Sequence, residues 1–350
     1  MVSGRCFAQS NLLVHKNTLS YSLYFLKGND SRLLSNEQAR QIDAIIAGNS
    51  LQTSCLLYNP NEAMRKFDNW AQELPWIKAH YAIKSNPALP LLNDLQAKQS
   101  GFDCASRTEL ENVLSIGADK RYVVYSNPIK DESDLVWAER NGIQMTTADS
   151  IDELIKINKL APSMRILWRI AIKEEATDKL ATPFSNKFGD DLDTPEKIHE
   201  RMEEIKKLGV NIKGIHFHCG SGMHGSSAFN KAVLLARNCL KIGREYGHEM
   251  SIMDVGGGFP SADLNKKTID ALKVTENDPL GYTVIAEPGR HFCGNAFYLL
   301  TRVLGKRVKN GKLCYHLNES LYHSFNCNVM DGVSFENSND QFYKALDNGK

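Results

Sequence analysis

The sequence lacks any run that approaches the roughly 20 consecutive apolar residues needed to span a bilayer. Its N-terminus also has no unbroken apolar stretch leading to a small-residue cleavage site. A membrane span and a secretory leader are therefore not expected, and the chain reads as cytoplasmic. Charge of one sign is missing too, with 42 basic residues against 41 acidic and a net charge of +1. No overall field draws such a chain to nucleic acid or an anionic membrane, so charge-driven chemistry has to be local. Its cysteines form no CxxC pair and no tight framework: Cys6, Cys55, Cys104, Cys219, Cys239, Cys293, Cys314 and Cys327 are scattered, which favours reduced thiols. A Walker loop, a GxSxG elbow and an HExxH helix are all missing. Internal repeats and linkers are missing as well, and the one biased segment is an Asn/Asp-rich tail after Ser334.

What is present is an ordinary globular composition: 350 residues, 42% hydrophobic and 24% charged, enough for a full core and two domains. From about residue 78 to 292, short β-branched or aromatic runs alternate with amphipathic stretches such as Thr194 to Leu208 and Ala228 to Tyr246, the pattern of repeated βα units. Eight such runs end near Lys84, Cys104, Tyr125, Met145, Arg169, His218, Val255 and Glu287. Eight strands with intervening helices suit a closed (β/α)8 TIM barrel of the α/β class better than an open doubly wound sheet. The flanks differ. Residues 296 to 318 alternate in a strand-like way around Asn310-Gly311, a hairpin signal, and residues 11 to 27 are rich in strand formers. The expected organisation is a barrel over 51–295 and a second, incomplete β domain made from 1–50 and 296–350.

In such a barrel the working groups stand at the carboxyl ends of the strands. Those ends carry Lys84, Asp103, Arg169, His218 with Ser221, the run Gly256, Gly257 and Gly258, and Glu287 with Arg290. A lysine closing the run His80-Tyr81-Ala82-Ile83 is a candidate Schiff-base nucleophile if desolvation lowers its pKa, or else a strand-end lysine reaching out to water. The triple glycine lets backbone N–H groups approach an anion, and Arg290 can add a bidentate donor to a phosphate there. Phosphate beside such a lysine points to pyridoxal 5'-phosphate, whose ring nitrogen needs a partner. Glu287 can serve, or can pair with Arg290, or both. His216 and His218 share a strand face, but without a third ligand at a recognisable spacing no metal site is expected. His218 at the strand end suits stacking on a ring, and His216 reads as a satisfied histidine deeper in the barrel.

Five ordered motifs then carry a resemblance: Tyr81-Ala82-Ile83-Lys84-Ser85-Asn86, Phe102-Asp103-Cys104-Ala105-Ser106, His218-Cys219-Gly220-Ser221-Gly222, Asp254-Val255-Gly256-Gly257-Gly258-Phe259-Pro260, and Glu287-Pro288-Gly289-Arg290. Over roughly residues 50 to 331 the chain resembles the eukaryotic-type ornithine decarboxylases, pyridoxal phosphate enzymes of the alanine racemase-like fold (fold type III). The resemblance implies that Lys84 holds the cofactor covalently, His218 stacks on its ring and Glu287 pairs with the ring nitrogen. It implies that Ser221, Gly256, Gly257, Gly258 and Arg290 bind the phosphate while Asp103 and Arg169 organise the groove. Tyr322 and Asp331 fall where the family binds substrate, an aspartate suiting ornithine's distal ammonium. A homodimer with shared active sites and a possible antizyme partner are further implications.

Two features depart from the family. Met330 stands where an aromatic residue is usual. The chain also reaches Lys350 without the family's Cys-Asp motif and later tyrosine, which a neighbouring subunit supplies. The expectation is a C-terminally truncated decarboxylase of impaired activity. The alternative is a catalytically weak homologue that acts as an antizyme-binding regulator.

Overall fold

The computed structural model describes residues 15–16, 19–24, 40, 44, 53–173, 188–221, 227–326 and 329. Contacts divide the chain into two units, Met64–Cys293 and a second formed by Met1–Ala63 with Gly294–Lys350. The second unit opens the chain with strands β1 (His15–Lys16), β2 (Leu19–Tyr24) and β3 (Cys55–Tyr58).

Eight parallel strands then follow: β4 (Ile77–Ala82), β5 (Gly101–Cys104), β6 (Val123–Tyr125), β7 (Met145–Ala148), β8 (Arg165–Ile170), β9 (Gly214–Phe217), β10 (Ile252–Asp254) and β11 (Thr283–Ala286). Each pairs with the next, and β11 pairs back with β4, so the sheet closes as the expected barrel. Helices fill the crossovers because the sequence marks their starts. Ser106, Asp131, Ser150, Thr194 and Asn265 each accept a backbone N–H from the first turn that follows, a cap worth about 1 kcal/mol.

Two strand ends differ from the sequence reading. β4 stops at Ala82, and Lys84 stands on the 3₁₀ turn Ile83–Ser85 that follows it. β7 runs on to Ala148 instead of ending at Met145. Its two buried threonines are the reason: Thr146 Oγ1 donates to Tyr125 O at 2.8 Å and Thr147 Oγ1 to Ser126 O at 2.7 Å, so their polarity costs nothing in the barrel wall.

One buried ion cluster ties the barrel's loops together. Glu153 meets Lys130 Nζ at 3.0 Å and Lys156 Nζ at 2.6 Å, and Lys130 Nζ also donates to Thr147 O at 2.7 Å. Burial lowers the Lys130 pKa to about 8, although Glu153 opposes the shift. Replacing Glu153 with alanine strands two ammonium groups, one of them wholly buried. Denaturant unfolding should report a loss of about 3–5 kcal/mol, the usual cost of breaking a buried pair from one side. An unchanged midpoint would show that the cluster is not holding the barrel.

The second unit closes the chain with β12 (Phe297–Lys309) and β13 (Lys312–Leu317). Asn310 and Gly311 join them with φ of 52° and 71°, the left-handed pair of a type I′ turn. β12 pairs antiparallel with β2, β3 and β13, so both ends of the chain contribute to one five-stranded sheet. Much of 1–50, together with Gly222, Met330, Asp331 and the tail, lies outside the described residues. Among the described residues, no helix is long and apolar enough to cross a membrane.

Candidate active site

Strand register builds the site in layers. Arg169, His216 and Asp254 are cross-strand partners on β8, β9 and β10, and Asp254 pairs with Ile285 of β11. Residues in register share a face, as do residues two apart along a strand. Glu287 therefore joins this row from just beyond β11. Two residues toward the amino ends the same rows carry Leu167 and Ile252, which pack with Val124, Met145 and Ile285 as an apolar plug. The interior is thus a filled core with a charged layer on top.

Lys84 and Asp103 form the first half of that layer. Lys84 Nζ donates to Asp103 Oδ2 at 2.9 Å, with the lysine side chain 48% exposed and the aspartate fully buried. Ser126, which follows β6, hydrogen-bonds the other Asp103 oxygen. Burial acts to lower the Lys84 pKa, but the charges of Asp103 and Glu287 and the Asp103 hydrogen bond outweigh it. Its pKa ends above the ordinary lysine value, opposite to the sequence expectation, because two carboxylates face an ammonium that desolvation alone would have neutralised. Asp103 is itself pushed up, by burial first and by Glu287 second.

Glu287 forms the second half. Its backbone N–H donates to Gly256 O at 2.7 Å, which locks the end of β11 to the end of β10. Its side chain is buried, with Oε2 3.5 Å from His216 Nε2 and with no hydrogen-bond partner at Oε1. Burial works against the charge, yet His216 and the Lys84 ammonium outweigh it and hold the carboxylate ionised. Asp254 goes the other way: burial first and the Glu287 charge second raise its pKa well above the usual range. His216, expected as a satisfied core histidine, is instead part of this cluster, because a position two before His218 faces the same interior. Its donor atom lies with those of Asp254 and Glu287 within 4.8 Å. Its neighbours in that set are the two carboxyl groups, and His218 is not among them.

His218 is held neutral, by burial first and then by the positive charges of Lys84 and Arg169. The N–H of Gly220 donates to its Nδ1 at 3.0 Å, which fixes the ring's orientation. Arg169 lies with its guanidinium 4.8 Å from the Phe188 ring, facing Glu287, Asp149 and Asp103.

The glycine run is a cradle because side chains cannot fit. A Cβ on Gly256 would stand 2.1 Å from Phe217 O, and one on Gly257 would stand 2.8 Å from His218 Nε2 and 2.9 Å from Glu287 O. Gly258 has φ of 100°, a conformation that favours glycine. The Gly256 N–H is already committed to Asp254 Oδ1 at 2.9 Å, a use that the motif did not reveal. Arg290 Nη2 donates to Ser221 Oγ at 3.3 Å, bringing those two residues together.

The structure thus gathers Lys84, Asp103, Arg169, His218, Glu287 and the glycines at one barrel mouth, with Ser221 and Arg290 beside each other. Tyr322 stands exposed in a turn of the other unit, and Asp331 lies outside the described residues. Sequence reasoning gave no role to Ser126, Asp149 or Asp254. For Asp254 a signal existed: an acid at a strand's last residue, two positions before the triple glycine.

Residues 61–294 match the family described as pyridoxal-dependent decarboxylase, pyridoxal binding domain. The chain is similar to the chloroplastic ornithine decarboxylase of Nicotiana glauca, 37% identical over 275 residues, which cover 77% of this chain and 62% of that protein. It is also similar to antizyme inhibitor 2 of Xenopus laevis, 32% identical over 290 residues that cover 77% of this chain and 62% of that protein. The chain therefore spans 62% of the length of each of these two relatives. Among solved structures, the arginine decarboxylase of Paramecium bursaria Chlorella virus aligns with a TM-score of 0.78 at 28% identity, covering 87% of this chain and 83% of that one.

Proposed function

The chain belongs to the pyridoxal-dependent decarboxylases, and from that premise we propose that it converts L-ornithine to putrescine and CO2 at the barrel mouth. The observation that carries the chemistry is the buried, ionised Glu287 with Oε1 left without a protein partner. A carboxylate oxygen in that condition suits a ring N–H far better than it suits an empty protein interior. The glycine cradle is the second sign of fit.

In this reading Lys84 would hold pyridoxal 5'-phosphate covalently, His218 would lie against its ring and Glu287 would take the ring N–H. Gly257, Gly258, Ser221 and Arg290 would meet the phosphate, Gly256 shaping the turn. The bound cofactor supplies an electron sink for the pair left on the substrate's α-carbon when the carboxylate departs. Asp103 holds the Lys84 ammonium at Oδ2 and is placed to take its proton, which frees the amine to react. Burial and Glu287 raise the Asp103 pKa, which favours that transfer, while the raised Lys84 pKa opposes it. Neutral His218 adds no positive charge against the ring.

Gly257→Ala tests the cradle. The added methyl meets His218 Nε2 and the Glu287 backbone, and overpacking of this kind costs about 1–3 kcal/mol, so cofactor affinity should fall about fivefold or more. Equal affinity for parent and variant in an absorbance titration would place the phosphate elsewhere.

The substrate is tested by CO2 release from ornithine, lysine and arginine, with the amine product identified. Ornithine is expected to lead lysine by about tenfold or more in kcat/KM, since one methylene is worth about 1–3 kcal/mol in a fitted site. A reversed order would move the proposal to another diamino acid. Similarity to antizyme inhibitor 2 favours one second reading, a regulator that binds antizyme. Cofactor uptake with no CO2 from any amino acid, plus measured antizyme binding, would select it. The homodimer and the cytoplasmic setting belong to the same proposal.

A further inference from the structure

Three polar side chains of the charged layer stand together, and two of them, His216 and Asp254, have no role so far assigned. His216, Asp254 and Glu287 are 1%, 0% and 3% exposed, respectively. His216 Nδ1 and Nε2, Asp254 Oδ2 and Glu287 Oε1 have no partner within hydrogen-bond geometry. Buried polar atoms left in this state are rare in native folds and call for an explanation. Their arrangement is also directional. β9 presents His216 to one side of Glu287, β10 presents Asp254 between the two strands, and the register that sets this is Asp254 opposite both His216 and Ile285.

The two oxygens of Glu287 are not equivalent. Oε2 has His216 Nε2 at 3.5 Å, close enough for a charge contact though outside hydrogen-bond geometry, and Oε1 makes no hydrogen bond. Asp254 spends Oδ1 on the Gly256 N–H at 2.9 Å, so it is anchored to the glycine turn and cannot swing to replace His216. A carboxylate that lacks a fixed donor on one oxygen rotates about its last bond, and an acceptor that rotates is a poor partner for a fixed ring. We propose that His216 is a positioning residue, which engages Glu287 Oε2 through Nε2–H and thereby presents Oε1 to the ring nitrogen of the cofactor. This rests on the function proposed above and adds to it a residue that touches neither substrate nor cofactor.

The test has two arms. In the cofactor-free protein, nitrogen-15 histidine spectra identify His216 as the signal absent from His216→Gln. Its Nε2 should be protonated and should shift on Glu287→Gln. In the loaded protein, pyridoxal 5'-phosphate labelled with nitrogen-15 in the ring reports ring protonation directly at neutral pH, and an absorbance titration gives cofactor affinity. His216→Ala should lose ring protonation and bind cofactor about tenfold more weakly, the effect of one lost charge-assisted contact. His216→Gln, which can still donate to Oε2, should restore most of both, and melting curves of the two variants check folding. A protonated ring with parent affinity in His216→Ala, or a His216 signal indifferent to Glu287→Gln, overturns the proposal. Failure of the parent to take up cofactor would sink the proposed function instead, while the cofactor-free arm still decides the positioning contact.

Discussion

Replacing Lys84 with alanine is expected to abolish covalent cofactor uptake, remove the absorbance band of the lysine-bound form and reduce turnover by at least about 10²–10⁴-fold. Lys84 Nζ meets Asp103 Oδ2 at 2.9 Å and is about half exposed, so the amine is anchored yet reachable by an incoming aldehyde. Borohydride treatment of the loaded parent, followed by peptide mapping, should place the label on Lys84. Labelling of a different lysine would overturn the assignment. The variant should fold: its loss leaves Asp103 one partner short, but Asp103 keeps its Ser126 hydrogen bond and can retain a proton.

Glu287→Gln carries the next largest effect. The amide keeps the shape and loses the charge, so the ring nitrogen would no longer be held protonated and the electron sink would weaken. Removal of a preorganised partner for developing charge typically costs about 10²–10³-fold in kcat, against roughly 1 kcal/mol for a merely structural ion pair at an exposed site. The same variant should lower the Asp254 pKa, because the Glu287 charge is, after burial, the largest cause that raises it. A folded Glu287→Gln protein with parent turnover would rule out the electronic role.

How much of this was legible in the chain itself depends on distance along the sequence. Helix starts are local: Ser106, Asp131 and Thr194 cap the turns that follow them, and each is readable within four residues. The Asn310-Gly311 turn is local in the same way, since both residues tolerate the positive φ that a two-residue hairpin needs. Strand existence came from short apolar runs, and the barrel followed from there being eight. Where the apolar signal gave way to threonines, as at Thr146 and Thr147, the end of β7 escaped notice because their satisfaction depends on carbonyls of the neighbouring strand.

Site chemistry divides along the same line. That a lysine, a triple glycine, Glu287 and Arg290 stand at strand ends is a property of the sequence, because strand ends are where barrels present side chains. Their protonation states are not. Lys84 taken alone reads as a desolvated, lowered amine, and the fold raises it by setting Asp103 and Glu287 against it. Asp254 and Glu287 are both acids at strand ends, yet the fold pushes the pKa of one up and of the other down. Only the register of β9, β10 and β11 decides which is which: it sets His216 beside Glu287 and buries Asp254 against the Glu287 charge, which together outweigh the opposing hydrogen bond from the Gly256 amide. The sequence by itself determined which chemical groups reach the barrel mouth; the tertiary structure decided their charges, since a pKa is set by neighbours through space and burial, and neither is written in the spacing along the chain.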